Sequence, residues 1–96
     1  MSWRILGILI LLGGTAQAQP PEAAVLAGAC AGCHGVAGEG GHGIPNIRQT
    51  KTRGEFIATM QAFRTDQRPN TVMGRITRGY TEAEVALLAA WFAKPE

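Results

Sequence analysis

Two cysteines and a histidine, close together in the sequence, constrain this chain more than any other feature. Cys30 and Cys33 are the only cysteines, and His34 follows the second directly, so that the segment has the pattern C-x-x-C-H. On an α-helix, residues three or four positions apart lie on the same face. Both thiols and the imidazole are therefore expected to point in one direction, towards a single bound group.

The beginning of the chain has the three parts of a secretory signal peptide. Residues 1–4 carry one positive charge, residues 5–12 are mostly apolar, and residues 16–18 (AQA) offer the small side chains at which signal peptidase cleaves. We therefore expect residues 1–18 to be removed on export and residues 19–96 to form one domain in the periplasm. The alternative is a retained membrane anchor, but the apolar run is shorter than the roughly 20 residues that a spanning helix needs.

The expected mature domain is small and close to neutral. A chain of under about 80 residues usually needs a disulfide, a metal or another covalent group to support its thin hydrophobic core. The full sequence has nine Lys and Arg residues against seven Asp and Glu, and one of the nine is Arg4 in the predicted signal peptide. This balance indicates neither a nucleic acid nor an anionic membrane as a partner.

In an exported chain, the C-x-x-C-H pattern predicts covalent attachment of one c-type haem. The thiols of Cys30 and Cys33 would each add across one vinyl group, and the neutral imidazole of His34 would ligate the iron. The apolar macrocycle would then complete the core. A disulfide or a thioredoxin-like redox pair is an alternative, but no strand pattern accompanies the cysteines. A zinc site that includes His42 is another, although adjacent Cys33 and His34 would strain its tetrahedral geometry.

The rest of the sequence is typical of helices, so the predicted fold class is all-α. Residues 22–33 are mostly helix formers, whereas five of the nine residues 35–43 are glycine and predict a loop that runs close to a flat group such as haem. Residues 52–65 have an amphipathic pattern, and residues 81–84 (TEAE) form a capping box that starts the last helix. The expected inward residues are Phe56, Ile57, Met60 and Phe63, then Val85, Leu88, Trp91 and Phe92, with Thr59 facing solvent.

The group opposite His34 distinguishes an electron carrier from a haem that binds ligands or catalyses a reaction. We expect Met73 to be this second axial ligand, because it lies beside Gly74 in a turn between helices, where its thioether can approach the iron from the side opposite His34. Met60 belongs to a predicted apolar helix face, where methionine usually fills the core. His42 is so near His34 in sequence that it would stay on the same side of the ring. An open sixth position is the remaining alternative.

Together these features resemble a class I c-type cytochrome over the whole predicted mature chain. The resemblance implies a fold of three to four helices around one covalently bound haem. It implies that Gly28 and Trp91 meet where the first and last helices cross. It further implies that the carbonyl of Pro45 accepts a hydrogen bond from His34, which would orient the imidazole and tune the iron.

A narrower resemblance covers residues 63–76 and 78–84. They are similar to haem domains of the cytochrome subunit of flavocytochrome c sulfide dehydrogenase, most specifically at residues 68–76, which read RPNTVMGRI. Members of that family pass electrons from a flavoprotein subunit, which oxidises sulfide, through haem to an acceptor cytochrome. The resemblance therefore implies a flavoprotein (FAD) partner. Many such subunits carry two haem domains, whereas this sequence contains one attachment motif.

The expected function is outer-sphere electron transfer, for which the chain needs no acid, base or nucleophile. Glu39, Glu82 and Glu84 are candidate carboxylates, but capping or solvation explains them. Arg75 and Arg78 follow Met73 closely, and they indicate either a solvated surface or a group that docks a partner or pairs with a haem propionate. The alternatives are a free-standing soluble electron carrier, and a haem enzyme or gas sensor with an open sixth site.

Overall fold

The computed structural model describes residues 13, 22–69 and 72–95, and four α-helices provide the regular structure of this part of the chain. Gly41 and Ile44 form an isolated bridge, and these residues contain no strand. The predicted all-α class is therefore confirmed. Apart from Gly13, the predicted signal peptide lies outside the described residues. The helices are α1 (Ala23–His34), α2 (Arg53–Arg64), α3 (Met73–Thr77) and α4 (Glu82–Phe92).

Threonine capping boxes start both α2 and α4. At α4, the Glu84 N–H donates to Thr81 Oγ1 (3.1 Å), and the Thr81 N–H donates to Glu84 Oε1 (2.9 Å). This confirms the capping box predicted from the sequence. Thr52 and Glu55 form the equivalent pair at α2, with distances of 3.2 and 3.0 Å. Each box satisfies two backbone donors that a helix start would otherwise leave without partners, so both starts are fixed locally.

Helix α4 is the element that joins the others. It packs against both α1 and α2, and α2 also packs against α3, whereas no Cα atom of α1 lies within 8 Å of a Cα atom of α2. The rings of Phe56 and Phe92 stack between α2 and α4, with centroids 6.2 Å apart. A gap therefore remains between α1 and α2, on the inner side of α4. The buried apolar residues are Leu26, Ala27, Phe56, Met60, Val85, Leu88, Ala89 and Phe92.

The contact expected between Gly28 and Trp91 is absent. A Cβ atom placed on Gly28 would meet nothing within 4 Å, and Trp91 is 53% exposed. The small residues buried on α1 and α4 are instead Ala27 and Ala89, and the buried aromatic residue at the end of α4 is Phe92. Neighbouring helical positions point about 100° apart, because a turn has about 3.6 residues, so an error of one position turns a residue from the core to solvent.

The predicted apolar face of α2 is correct in its centre and wrong at one edge. Phe56 and Met60 are buried, but Ile57 is 41% exposed. Thr59, predicted to face solvent, lines the gap between the helices and donates a hydrogen bond from Oγ1 to the carbonyl of Glu55 (2.8 Å). Because that bond satisfies the hydroxyl within the helix, threonine can lie against an apolar space at low cost.

The capping box of α4 leads to a stability prediction. Thr81→Ala removes the acceptor of the Glu84 N–H and is expected to lower the free energy of unfolding by about 1 kcal/mol, the usual value of a threonine cap. Thr81→Ser keeps the hydroxyl and is the matched control. Urea unfolding of the holoprotein measures the difference, and equal midpoints for the two variants would show that the cap contributes nothing.

Candidate haem site

The gap between α1 and α2 is a largely apolar cavity of about 550 Å³, within the range of roughly 300–1,000 Å³ typical of small-molecule and cofactor pockets. All five site residues named from the sequence line it, although they come from three different parts of the chain. Apolar side chains from every helix complete the wall. The five are Cys30, Cys33 and His34 at the end of α1, Pro45 in the loop that follows, and Met73 at the start of α3.

The two cysteines differ in their surroundings. Cys30 is half-buried and packs against the core, whereas Cys33 is exposed, and both are free thiols. Burial raises the pKa of the Cys30 thiol. The helix continues through the whole motif to His34, so the expected spacing of three and four residues on one helix face is present. The structure contains no disulfide between Cys30 and Cys33.

His34 is buried and held by its ring nitrogen. Its Nδ1 lies 2.8 Å from the carbonyl oxygen of Pro45, and the side chain is 8% exposed. A carbonyl oxygen only accepts hydrogen bonds, so Nδ1 must carry the proton and donate it. The lone pair of Nε2 then remains for a metal, in the way that metal-binding histidines are usually oriented. This is the hydrogen bond that the resemblance to class I cytochromes implied.

The glycine loop forms the connection between His34 and Pro45. The Gly40 N–H donates to the carbonyl of His34 (2.6 Å), and the Ile47 N–H donates to the carbonyl of Gly38 (2.8 Å). A Cβ atom on Gly38 would lie 2.9 Å from the ring of Phe92. Gly38 therefore packs closely against the aromatic ring at the end of α4. Pro45, further along the loop, lines the cavity.

Two methionines line the cavity. Met73 is the first residue of α3, so it begins a short helix rather than lying in a turn, and it is half-buried. The buried Thr77 donates from Oγ1 to the carbonyl of Gly74 (3.1 Å) within α3. Met60 is 8% exposed within the core. His42 is exposed and does not line the cavity.

Sequence reasoning did not identify the polar residues of the cavity wall. Lys51 and Arg68 supply its positive charges, and the guanidinium of Arg68 lies 5.2 Å from the centre of the Phe63 ring. Burial raises the pKa of the Tyr80 phenol, and the charges of Cys30 and Glu84 add to this effect. No periodic pattern marks these positions. The only signal was that Arg68 and Tyr80 lie in the segments 63–76 and 78–84 that carry the narrower resemblance.

Arg75 and Arg78 do not line the cavity. Both are exposed, and Arg78 pairs with Asp66 through its guanidinium nitrogen (2.8 Å). This ion pair is largely solvated, with 49% of one side chain and 71% of the other exposed, so it contributes little to stability. The structure therefore places both arginines at the surface, away from the cavity wall.

The donors that line the cavity fit covalently bound haem. The thiols of Cys30 and Cys33 can each form a thioether bond to haem, and the hydrogen bond of His34 fixes the tautomer of its imidazole. The side-chain sulfur of Met73 reaches the cavity from a different helix. Among the described residues, no group of three or more His, Cys, Asp or Glu side chains could hold a metal ion, so the proposed zinc site has no support there. No helix in the same part of the chain is long and apolar enough to cross a membrane.

Comparison with known proteins identifies the family of the chain. A family model described as Cytochrome c matches residues 22–94, and the chain belongs to that family. It is an electron-transfer c-type cytochrome with the class I fold and covalently bound haem c.

A curated relative is the cytochrome subunit of sulfide dehydrogenase from Chlorobaculum tepidum, 41% identical over 69 residues. The aligned region covers 71% of this chain and 61% of the relative, so the chain spans about three-fifths of the relative's length. The resemblance to that subunit, carried by residues 63–76 and 78–84, is therefore supported by a match that covers most of the chain.

Proposed function

We propose that this cytochrome is a periplasmic electron carrier with a single haem, whose iron is ligated by His34 and Met73, and that it accepts electrons from a flavoprotein sulfide dehydrogenase. The observation that supports this most directly is the cavity between α1 and α2. It brings both cysteines of the attachment motif, the oriented histidine and a methionine from another helix to one space.

His34 binds the iron through Nε2 in this proposal. The Pro45 carbonyl holds the proton on Nδ1, which keeps the ring in one tautomer and makes Nε2 a stronger donor. Haem iron, when bound, changes between the ferrous and ferric states and so carries one electron. Because His34 is buried, water is kept away from the imidazole that supports this change.

Met73 is the proposed second ligand because of its place in the chain. It lies at the start of α3, and α3 packs on α2 rather than on α1, so its thioether reaches the cavity from an element separate from the one that carries His34. A thioether ligand favours the reduced iron and raises the potential. Met60 also lines the cavity, but its burial in the core supports a packing role.

The positions of the acidic side chains favour a role in electron transfer over a role in acid–base catalysis. None of the described residues that line the cavity is Asp or Glu. Glu39 accepts a hydrogen bond from the Ala37 N–H (2.9 Å), and Glu84 belongs to the capping box of α4. These contacts give the two carboxylates local structural roles, and Glu82 lies in the first turn of α4, where it favours the helix dipole.

The ligand proposal is tested by optical spectra of protein exported together with a haem-maturation system. We expect a covalent c-type spectrum with the weak near-infrared band of iron bound by methionine sulfur. The intact mass should equal the chain from Gln19 onwards plus one haem, which tests cleavage and haem count together. Covalent haem without the sulfur band would indicate an open or different sixth ligand, and no covalent haem would contradict the whole proposal.

The partner proposal needs a separate experiment. The oxidised cytochrome is mixed with a flavoprotein subunit of a sulfide dehydrogenase, and sulfide is added while haem reduction is followed. Rapid reduction that requires both flavoprotein and sulfide, together with co-purification of the two proteins, is expected. If unrelated flavoproteins reduce the cytochrome equally fast and no complex forms, the chain is a free-standing carrier.

A further inference from the structure

Gly40 lies where the glycine loop crosses over the peptide that holds His34. A Cβ atom on Gly40 would lie 2.5 Å from the carbonyl oxygen of Ile44 and 2.6 Å from both the carbonyl carbon of Pro45 and the nitrogen of Asn46. All three neighbours are backbone atoms, which cannot move aside as a flexible side chain can. The Cα of Gly40 therefore lies directly against the Pro45–Asn46 peptide.

That peptide carries the acceptor of the His34 hydrogen bond. The carbonyl oxygen of Pro45 is 2.8 Å from His34 Nδ1, and Gly40 also donates its N–H to the backbone carbonyl of His34 at 2.6 Å. His34 is thus held twice, through its backbone by Gly40 and through its ring by Pro45. Gly40 contacts both points, so any displacement at Gly40 changes the distance between them.

We propose that Gly40 is a positioning residue for His34, because the absence of a side chain there sets the distance from the Pro45 carbonyl to the imidazole. The proposal rests on the function proposed above, in which His34 ligates the haem iron. Gly40 has φ +73, so an L-residue at this position would meet both the backbone contacts and an unfavourable conformation.

Gly41 provides a control that separates these two effects. It also has a backbone conformation that favours glycine (φ +139), but a Cβ atom there would meet nothing within 4 Å. It is exposed and does not line the cavity. Gly41→Ala therefore strains the loop without pressing on the Pro45–Asn46 peptide, whereas Gly40→Ala does both.

The test measures the hydrogen bond itself, by NMR of the reduced protein. In Gly40→Ala we expect the His34 Nδ1 proton to exchange with solvent about tenfold faster or more, the scale on which such supporting contacts act on metal sites. We also expect a more positive midpoint potential, because a weaker hydrogen bond makes the imidazole a poorer donor to ferric iron. Gly41→Ala should change neither quantity. Wild-type values of both in a folded Gly40→Ala protein would overturn the proposal.

A second measurement on the wild-type protein covers the case in which Gly40→Ala does not fold. Under native-state exchange, the Gly40 amide and the His34 Nδ1 proton should open with the same free energy, because in this proposal Gly40 couples the two hydrogen bonds that hold His34. Exchange of the Nδ1 proton while the Gly40 amide stays protected would contradict the proposal. Failure of the proposed function is distinguishable, since a wild-type spectrum without histidine-ligated haem would appear before any variant is compared.

Discussion

A Cys30→Ala/Cys33→Ala double variant is expected to contain no haem that survives denaturation and to lose its native helical structure. The reason is that no Cα atom of α1 lies within 8 Å of a Cα atom of α2, and the two helices face each other across the cavity. Without the macrocycle, the apolar wall of the cavity faces water, and a core of this size supplies at most about 3–5 kcal/mol of stability. We expect the loss of an apolar group as large as haem to exceed that margin.

Haem staining after denaturing electrophoresis and far-ultraviolet circular dichroism measure the two effects. The single variants are the matched controls, since each keeps one thioether. We expect Cys30→Ala to be the more damaging of the two, because Cys30 packs against the core whereas Cys33 is exposed. A double variant with a native helical spectrum would show that the helices fold without the covalently bound cofactor.

Met73→Ala is expected to have the largest effect on redox properties. If Met73 supplies the sulfur ligand, its removal abolishes the near-infrared sulfur band and lowers the midpoint potential by a substantial part of the roughly 0.8 V range that axial ligands control. The direction follows because a thioether stabilises reduced iron. Spectroscopy and potentiometric titration of the same sample measure both changes.

Met60→Leu is the control for this experiment, because Met60 lines the same cavity and is buried. A change of similar volume in a core usually costs less than about 1.5 kcal/mol, so this variant should keep the band and the potential with a small loss of stability. If Met60→Leu loses the band and Met73→Ala keeps it, Met60 is the ligand. If Met73→Ala changes nothing and wild type lacks the band, the sixth site is open.

The features predicted correctly from the sequence depend on local geometry. The spacing of Cys30, Cys33 and His34 needs only an α-helix to bring all three to one face. The capping box of Thr81 and Glu84 is closed by residues three apart in sequence. The hydrogen bond between His34 and Pro45 spans eleven positions, and no periodicity predicts it. It was expected only from resemblance to a known family.

The incorrect predictions concern which side of an apolar helix faces inward. Residues 82–92 of α4 are apolar on nearly every side, so periodicity alone does not distinguish Trp91 from Phe92 as the inward aromatic residue. In α1, a run of small residues from Ala23 onward leaves the same ambiguity, and the expected contact of Gly28 was wrong. Which side of such a helix faces inward depends on the neighbouring helices, and a local sequence pattern contains no information about them.

By itself, the sequence determined helices α1, α2 and α4, the start of α4, the attachment motif and the class of cofactor, because each depends on residues a few positions apart. Only the tertiary structure decided that Met73 and Met60 share one cavity with His34, that Lys51 and Arg68 supply its positive charge, and that Gly40 presses against the peptide of Pro45. These relations join residues from separate helices and loops. They depend on the packing of α1 and α2 against α4, and no pattern of neighbouring residues in the sequence specifies that packing.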